Sequence, residues 1–194
     1  MSKGEETKKR ILDNALVTFA DKGYEQTSLK DIAVKSNIKA PSIYAYFSSK
    51  DHLFEEVVEL TMAKYVAFIS EQYQELSSYD MEKKLYHLLI DLNKYFYNNS
   101  IGLFVRRFFI IPPEPFKELI NSKYLEMEHA IKHLLHTIFK EEDGNDTFVD
   151  FEVILTSYLC ILDGTLIYLM NFPYDVYRKR LDDSWGTFWN GIQK

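Results

Sequence analysis

The sequence predicts an all-α protein. Apolar residues recur at three- and four-residue spacing along most of the 194 residues, which is the pattern of helices that bury one face. No segment alternates apolar and polar residues over the length of a strand. Glycines, prolines and capping residues divide the pattern into about nine helices. The second and third of these are short.

The first two helices have recognisable ends. The first is predicted over 5–22 and stops at Gly23, because glycine adopts the positive φ that often closes a helix. Ser28 and Asp31 have the spacing of a capping box, in which each side chain satisfies a free backbone amide at the start of a helix. A short second helix is therefore predicted over 29–36.

A third short helix is predicted over 40–47, after a tight turn at Asn37, a residue that tolerates positive φ. Pro41 falls in its first turn, where an amide hydrogen has no partner inside the helix. Ser48 or Ser49 then caps the next helix. Two short helices joined by a turn of about three residues have the geometry of a helix-turn-helix, whose second helix enters the major groove of DNA.

Six further helices follow, mostly longer than the first three. Their predicted ranges are 50–78, 81–98, 101–109, 116–140, 147–171 and 174–191, with a polar loop at 141–146. These helices are long enough to form a second domain with its own core.

Charge and composition favour a cytoplasmic protein with a DNA-facing N-terminal segment. Residues 1–50 carry nine Lys/Arg and six Asp/Glu, whereas the remaining residues carry 14 and 23. A basic segment on an acidic chain suits a polyanionic partner, although this excess is too small to decide the function. The single cysteine, Cys160, excludes a disulfide within the chain. The N-terminus lacks a signal peptide, and charges interrupt the apolar stretches before the ~18 residues of a membrane span.

The motifs of common enzymes are absent from the sequence. It contains no Gly-x-Ser-x-Gly, no His-Glu-x-x-His and no phosphate-binding glycine loop, so we expect neither an enzyme nor a cofactor. The strongest alternative is a metal-binding helical bundle that uses Glu126, His129 and His133, with His136 one turn further on. Di-iron bundles need two Glu-x-x-His pairs and this sequence has one, so a solvent-exposed polar face is the default interpretation.

Four blocks near the N-terminus resemble the DNA-binding domain of the TetR family of repressors. They are TKKRILDNA (7–15), FADKGY (19–24), TSLKDIA (27–33) and SIYAYFSSK (42–50). Their order and spacing over about residues 5–58 make the resemblance specific. It implies a helix-turn-helix domain over 1–49, with the motif at about 27–47, and a C-terminal effector-binding and dimerisation domain over 50–194.

The resemblance also implies which side chains meet DNA. Thr27 and Ser28 correspond to contacts with backbone phosphates, and Lys50 corresponds to a phosphate clamp. Tyr44 and Tyr46 match an aromatic pair of which at least one member serves packing. The remaining positions, which face or flank the base edges, are Lys39, Ala40, Ser42 and Ala45.

For the C-terminal domain the resemblance implies a homodimeric repressor that a small, largely hydrophobic ligand releases from its operator. The expected dimer interface comprises Leu162, Leu166, Leu181, Trp185 and Phe188. The expected ligand pocket comprises Tyr65, Phe68, Tyr86, Leu89, Phe96, Phe104, Phe108 and Tyr158. Arg106 or Arg107 is a candidate anchor for an anionic group of the ligand. Plain core packing is the alternative for each apolar residue, and a solvent-facing position is the alternative for each arginine.

Overall fold

The computed structural model describes residues 2–141 and 148–193, and over this part of the chain the all-α prediction is confirmed. Its α-helices are α1 (Lys3–Lys22), α2 (Leu29–Lys35), α3 (Lys50–Glu75), α4 (Met81–Asn98), α5 (Ser100–Phe108), α6 (Lys117–Glu141), α7 (Phe151–Asn171) and α8 (Tyr174–Ile192). Two short 3-10 helices span Ala40–Ala45 and Glu114–Phe116. Predicted loop residues 142–146 and the predicted helix start at Thr147 lie outside the described residues.

The predicted ends of the first helices are confirmed. Gly23 closes α1 at φ 84°, and Asn37 follows α2 at φ 54°. The Ser28 hydroxyl accepts the Asp31 amide, and the Asp31 carboxylate accepts the Ser28 amide, which completes the capping box. The Ser49 hydroxyl accepts the amide of His52 at the start of α3.

The third predicted helix is shorter and more tightly wound than expected. It is a 3-10 helix over Ala40–Ala45 instead of an α-helix over 40–47. Pro41 offers no amide to an α-helical hydrogen bond, and Lys39 provides no side-chain cap. The hydrogen bonds span three residues, as from the Tyr46 amide to the Ile43 carbonyl at 3.0 Å.

Residue contacts divide the chain into two compact units. The first comprises Met1–Val66 and Asn99–Met127, and the second comprises Ala67–Asn98 and Glu128–Lys194. The first unit thus extends past residue 49 and includes α5. The predicted boundary between a DNA-binding domain (1–49) and an effector-binding domain (50–194) divides the chain by function, and it stays a prediction.

Phe54 is the centre of the first unit. Its side chain is fully buried, and α1, α2, the 3-10 helix and α5 all contribute to the same core. Its ring contacts five others, with centroid distances of 5.1 Å to Phe19, 5.1 Å to Tyr24, 5.6 Å to Phe104, 5.0 Å to Phe108 and 4.5 Å to Phe116. Because Phe104 and Phe108 belong to α5, the core of the helix-turn-helix is continuous with that helix.

Two buried hydrogen-bonded contacts join α4 to α7 in the second unit. The Tyr158 hydroxyl donates to the Leu85 carbonyl at 2.9 Å. The Asn93 side-chain amide donates to the Leu89 carbonyl and to the Thr165 hydroxyl, both at 2.9 Å. Asn93 is fully buried, and its Oδ1 has no hydrogen-bond partner among the described residues. The packing of these two helices is therefore fixed by polar groups as well as by apolar area.

The helix α7 is more continuous and apolar than the sequence suggested. Phe151–Asn171 is long and apolar enough to cross a membrane by length and composition alone, and only 28% of its most apolar 18-residue window is buried. The expectation that charges interrupt every apolar stretch before this length is not met here, because Glu152 and Asp163 are the only charged residues of the helix. One such helix also occurs at the core of soluble proteins, so it carries little weight as a membrane signal.

Candidate nucleic-acid interface

The segment Lys39–Tyr46 presents one face outward and one face inward. Ile43 and the following Phe47 are fully buried in the core of the first unit. Ser42, Tyr44 and Ala45, on either side of Ile43 in the chain, are exposed, with 62% of Tyr44 accessible. A helix of this width fits a major groove about 12 Å wide. The exposed set combines a hydroxyl, a phenol and a methyl group, which suit both phosphate oxygens and base edges.

The half-buried members of the predicted set serve packing as well. Tyr46 and Ala40 lie against the core of the first unit, whereas Lys39 is exposed. The expectation that one tyrosine of the pair packs is met by Tyr46. We call the exposed and half-exposed side chains of Lys39–Tyr46 the recognition surface.

The structure buries Thr27, which was predicted to contact a backbone phosphate. It is 2% exposed, and its hydroxyl donates to the Gly23 carbonyl at 2.7 Å. That hydrogen bond holds the turn between α1 and α2 together. The neighbouring Ser28 is exposed at the start of α2, where free backbone amides attract anions.

Lys50 is held by the turn that precedes α2. Its ammonium donates to the Tyr24 carbonyl at 2.9 Å and lies 4.1 Å from the centroid of the Tyr24 ring. The Tyr24 hydroxyl donates to the Asp51 carboxylate, and burial together with this carboxylate raises the pKa of the tyrosine. An ammonium has three donors, so Lys50 retains hydrogen-bonding capacity for a phosphate. Its role as a phosphate clamp stays a prediction.

Two arginines that position the motif were missed by sequence reasoning. Arg10 in α1 donates through Nε to the Ser36 carbonyl at 2.9 Å, which holds the end of α2. Arg107 in α5 donates to the Asp21 carbonyl at 3.1 Å, near the end of α1. The two residues of each pair are 26 and 86 positions apart in the chain, so no local sequence pattern predicts these hydrogen bonds.

The predicted dimer-interface residues are mostly packed within the chain. Leu162, Leu181, Trp185 and Phe188 are at most 7% exposed, and Leu166 is half-buried. Trp185 packs on Tyr86 with centroids 5.3 Å apart. The final helix therefore turns its aromatic stripe inward, so these four side chains have little surface to offer a partner.

The predicted pocket residues are distributed over both units. Tyr65, Phe104 and Phe108 are buried in the first unit. In the second unit Leu89, Phe96 and Tyr158 are buried, whereas Phe68 and Tyr86 are half-buried. Phe68 stacks on Tyr95 at 4.1 Å, and Arg178 donates to the Tyr86 hydroxyl at 2.9 Å. Each of these side chains thus has a packing role, and a role in ligand binding stays a prediction.

The alternative metal site finds no support. No group of three or more His, Cys, Asp or Glu side chains among the described residues could hold a metal ion. Glu126 is instead paired with Lys123 at 2.9 Å. His129 and His133 are exposed on α6.

A helix-turn-helix with an exposed recognition surface, followed by a larger helical region, defines a DNA-binding transcriptional regulator. Residues 11–57 match the family described as "Bacterial regulatory proteins, tetR family". This match covers the helix-turn-helix, and through it the chain resembles the TetR family of transcriptional regulators.

The chain is also similar to known regulators in sequence and to solved structures in fold. The chain is 28% identical over 78% of its length, and 80% of the relative's, to IcaR, the negative transcriptional regulator of the biofilm operon icaADBC in Staphylococcus aureus. Its fold matches a structure from Mesorhizobium loti described as a TetR-family regulator, with a TM-score of 0.80, 19% identity and 100% of both chains covered. It also matches FadR from Bacillus subtilis in complex with stearoyl-CoA, with a TM-score of 0.66, 19% identity and coverage of 94% and 98%.

Proposed function

We propose that this regulator is a cytoplasmic homodimeric repressor whose two recognition surfaces bind one operator. The observation that carries the proposal is the alternation in the 3-10 helix, where Ser42 and Tyr44 are exposed beside the fully buried Ile43. The similarity to IcaR supports repression, because that relative is a negative regulator. The proposed DNA contacts are Ser28, Lys39, Ala40, Ser42, Tyr44, Ala45, Tyr46 and Lys50. No catalytic step is part of the proposal.

The proposed effector is a small, largely hydrophobic molecule. Support comes from the similarity in fold to Bacillus subtilis FadR, whose structure holds stearoyl-CoA. Arg106 is the better of the two arginine candidates for an anionic group, because its buried Nε has no hydrogen-bond partner among the described residues. Arg107 is exposed and already donates to the Asp21 carbonyl.

The proposed dimer forms through the outer face of α7. Exposed residues follow each other there at alternating spacings of three and four, which is the repeat that two packed helices share. This α7 stripe consists of Val153, Thr156, Cys160, Asp163, Ile167 and Met170. Val153 and Ile167 are each 54% exposed, which is costly for apolar side chains unless a second copy covers them.

A groove beside the α7 stripe supports the same partner. It lies between α7 and α8, has a volume of about 780 Å³ and is lined largely by short side chains. Ser157, Ser184, Thr187 and Gly191 are among them. Short side chains let helix backbones approach closely, so α7 and α8 can pack against their symmetry-related copies as a four-helix bundle.

DNA binding tests the proposal directly. The purified protein is expected to bind DNA from its own promoter region in preference to random DNA. Its affinity should fall steeply as the salt concentration rises, because the counterions that binding releases from the DNA then gain less entropy. Tyr44→Ala and Ser42→Ala should each weaken specific binding about fivefold or more, because each removes a hydrogen-bonding group from the recognition surface. Kd is measured by fluorescence anisotropy over a salt series.

The matched control is Tyr79→Ala, which removes a tyrosine that is 41% exposed and outside the first unit. It should leave the Kd unchanged. Equal affinity of the wild-type protein for promoter and random DNA would reject the proposed function.

A further inference from the structure

A side chain from α5 holds the turn between α1 and α2. The Arg107 guanidinium donates through Nη2 to the Asp21 carbonyl at 3.1 Å. Asp21 lies in the last turn of α1, where carbonyl groups lack partners inside the helix. A cation at this end also complements the helix dipole. Arg107 therefore binds a helix terminus that belongs to the DNA-binding motif, although it lies far along the chain.

Gly23 makes this approach possible. Its backbone has φ 84° and ψ 168°, a combination that is almost restricted to glycine. A Cβ atom at this position would lie 3.0 Å from Nη1 of Arg107. The guanidinium thus packs directly against the backbone of the turn, in space that any side chain at position 23 would occupy.

The same turn fixes the start of α2. The Gly23 carbonyl accepts the hydrogen bond from the buried Thr27 hydroxyl at 2.7 Å, and the exposed Ser28 follows immediately. The next carbonyl, that of Tyr24, accepts the hydrogen bond from Lys50 at 2.9 Å. Arg107 therefore adjoins a short segment that carries Ser28 and anchors Lys50, two of the proposed phosphate contacts.

The helix that carries Arg107 is itself fixed to the core of the first unit. Phe104 and Phe108 pack on Phe54 with ring centroids 5.6 and 5.0 Å away. The helix α5 therefore cannot rotate without disturbing that core, and the backbone of Arg107 is fixed relative to the turn.

We propose that Arg107 is a positioning residue for DNA binding. It keeps residues 23–28 in the conformation that presents Ser28 and Lys50 to the phosphates before DNA arrives. This inference rests on the proposed DNA-binding function. If Arg107 keeps the turn ordered in the free protein, binding to DNA does not have to supply the entropy cost of ordering it. Without the arginine, that cost is subtracted from the binding free energy and the affinity falls.

The experiment compares Arg107→Ala, Arg107→Lys and the wild-type protein. We expect Arg107→Ala to raise the Kd for the preferred promoter DNA about fivefold, which corresponds to about 1 kcal/mol, the usual net contribution of one hydrogen bond. Amides of residues 24–28 should exchange hydrogen faster, and the slope of log Kd against log salt should stay that of the wild type. Arg107→Lys, which retains the charge and hydrogen-bond donors but loses the planar fork of the guanidinium, should lie between the two proteins in both measurements.

Lys117→Ala is the matched control, because it removes one positive charge from the same unit at an exposed ion pair with Glu114. It should match the wild-type protein in Kd and in exchange. An Arg107→Ala protein that unfolds at a lower temperature but keeps the wild-type Kd and exchange has lost only stability, and this result overturns the inference. If the wild-type protein prefers no DNA sequence, the proposed function fails and the inference fails with it. If the wild-type protein prefers its promoter DNA and all variants bind that DNA equally well, only the inference about Arg107 fails.

Discussion

Phe54→Ala is expected to lower the free energy of unfolding by about 3–5 kcal/mol, the usual cost of replacing a buried phenylalanine by alanine. Phe54 is fully buried, and its ring contacts five other aromatic rings of the first unit. The substitution removes buried apolar area and leaves a cavity. The surrounding aromatic rings are rigid, so they cannot move enough to fill it. Urea denaturation followed by circular dichroism measures the loss.

The variant Tyr44→Ala is the control for this measurement. It also removes an aromatic ring from the first unit, but Tyr44 is 62% exposed, so its loss should change stability by no more than about 0.5 kcal/mol. A loss below about 1 kcal/mol for Phe54→Ala would mean that Phe54 is not the centre of this core.

Ile167→Asp is expected to convert the proposed dimer into a monomer. A two-fold dimer through the α7 stripe would bury residue 167 twice. The substitution would replace an apolar contact by a second carboxylate one turn from Asp163, so repulsion between like charges would add to a desolvation cost of several kcal/mol. The dimer dissociation constant should therefore rise by about a thousandfold or more. Sedimentation velocity over a concentration series measures the association. Specific DNA binding should fall with it, because a monomer engages one half-site only.

Val17→Asp provides the comparison, since Val17 is 36% exposed on α1 and belongs to the first unit, whereas α7 belongs to the second. It should remain dimeric. A wild-type protein that sediments as a monomer, or an Ile167→Asp protein that dimerises as the wild type does, would contradict the proposed interface.

Local features of the fold could be predicted from the sequence. The stop at Gly23, the capping box of Ser28 and Asp31 and the positive φ of Asn37 each depend on a few neighbouring residues, so their signals are complete within a short segment. The 3-10 helix was missed because the choice between two windings depends on the amide that Pro41 lacks and on a cap that Lys39 does not provide.

Faces of helices were harder to predict than their ends. Periodicity shows that Leu181, Trp185 and Phe188 share a stripe, but a stripe that packs inside the chain and one that meets a second copy have the same spacing. The structure buries these side chains and leaves Ile167 exposed on α7, a helix that is apolar on more than one side. Thr27 was misassigned for a related reason, since its hydroxyl serves the turn and not the surface.

The buried amide of Asn93 has a consequence for how α4 and α7 are aligned. An interface of aliphatic side chains alone allows one helix to slide along the other by a turn, about 5.4 Å, with little change in buried area. The hydrogen bond to Thr165 forms in one alignment only, and every shifted alignment leaves both groups without this partner. Among the described residues Oδ1 has no hydrogen-bond partner, and a buried oxygen without one costs stability in any alignment. An apolar residue at position 93 would serve stability better, whereas asparagine serves to fix one alignment of the two helices.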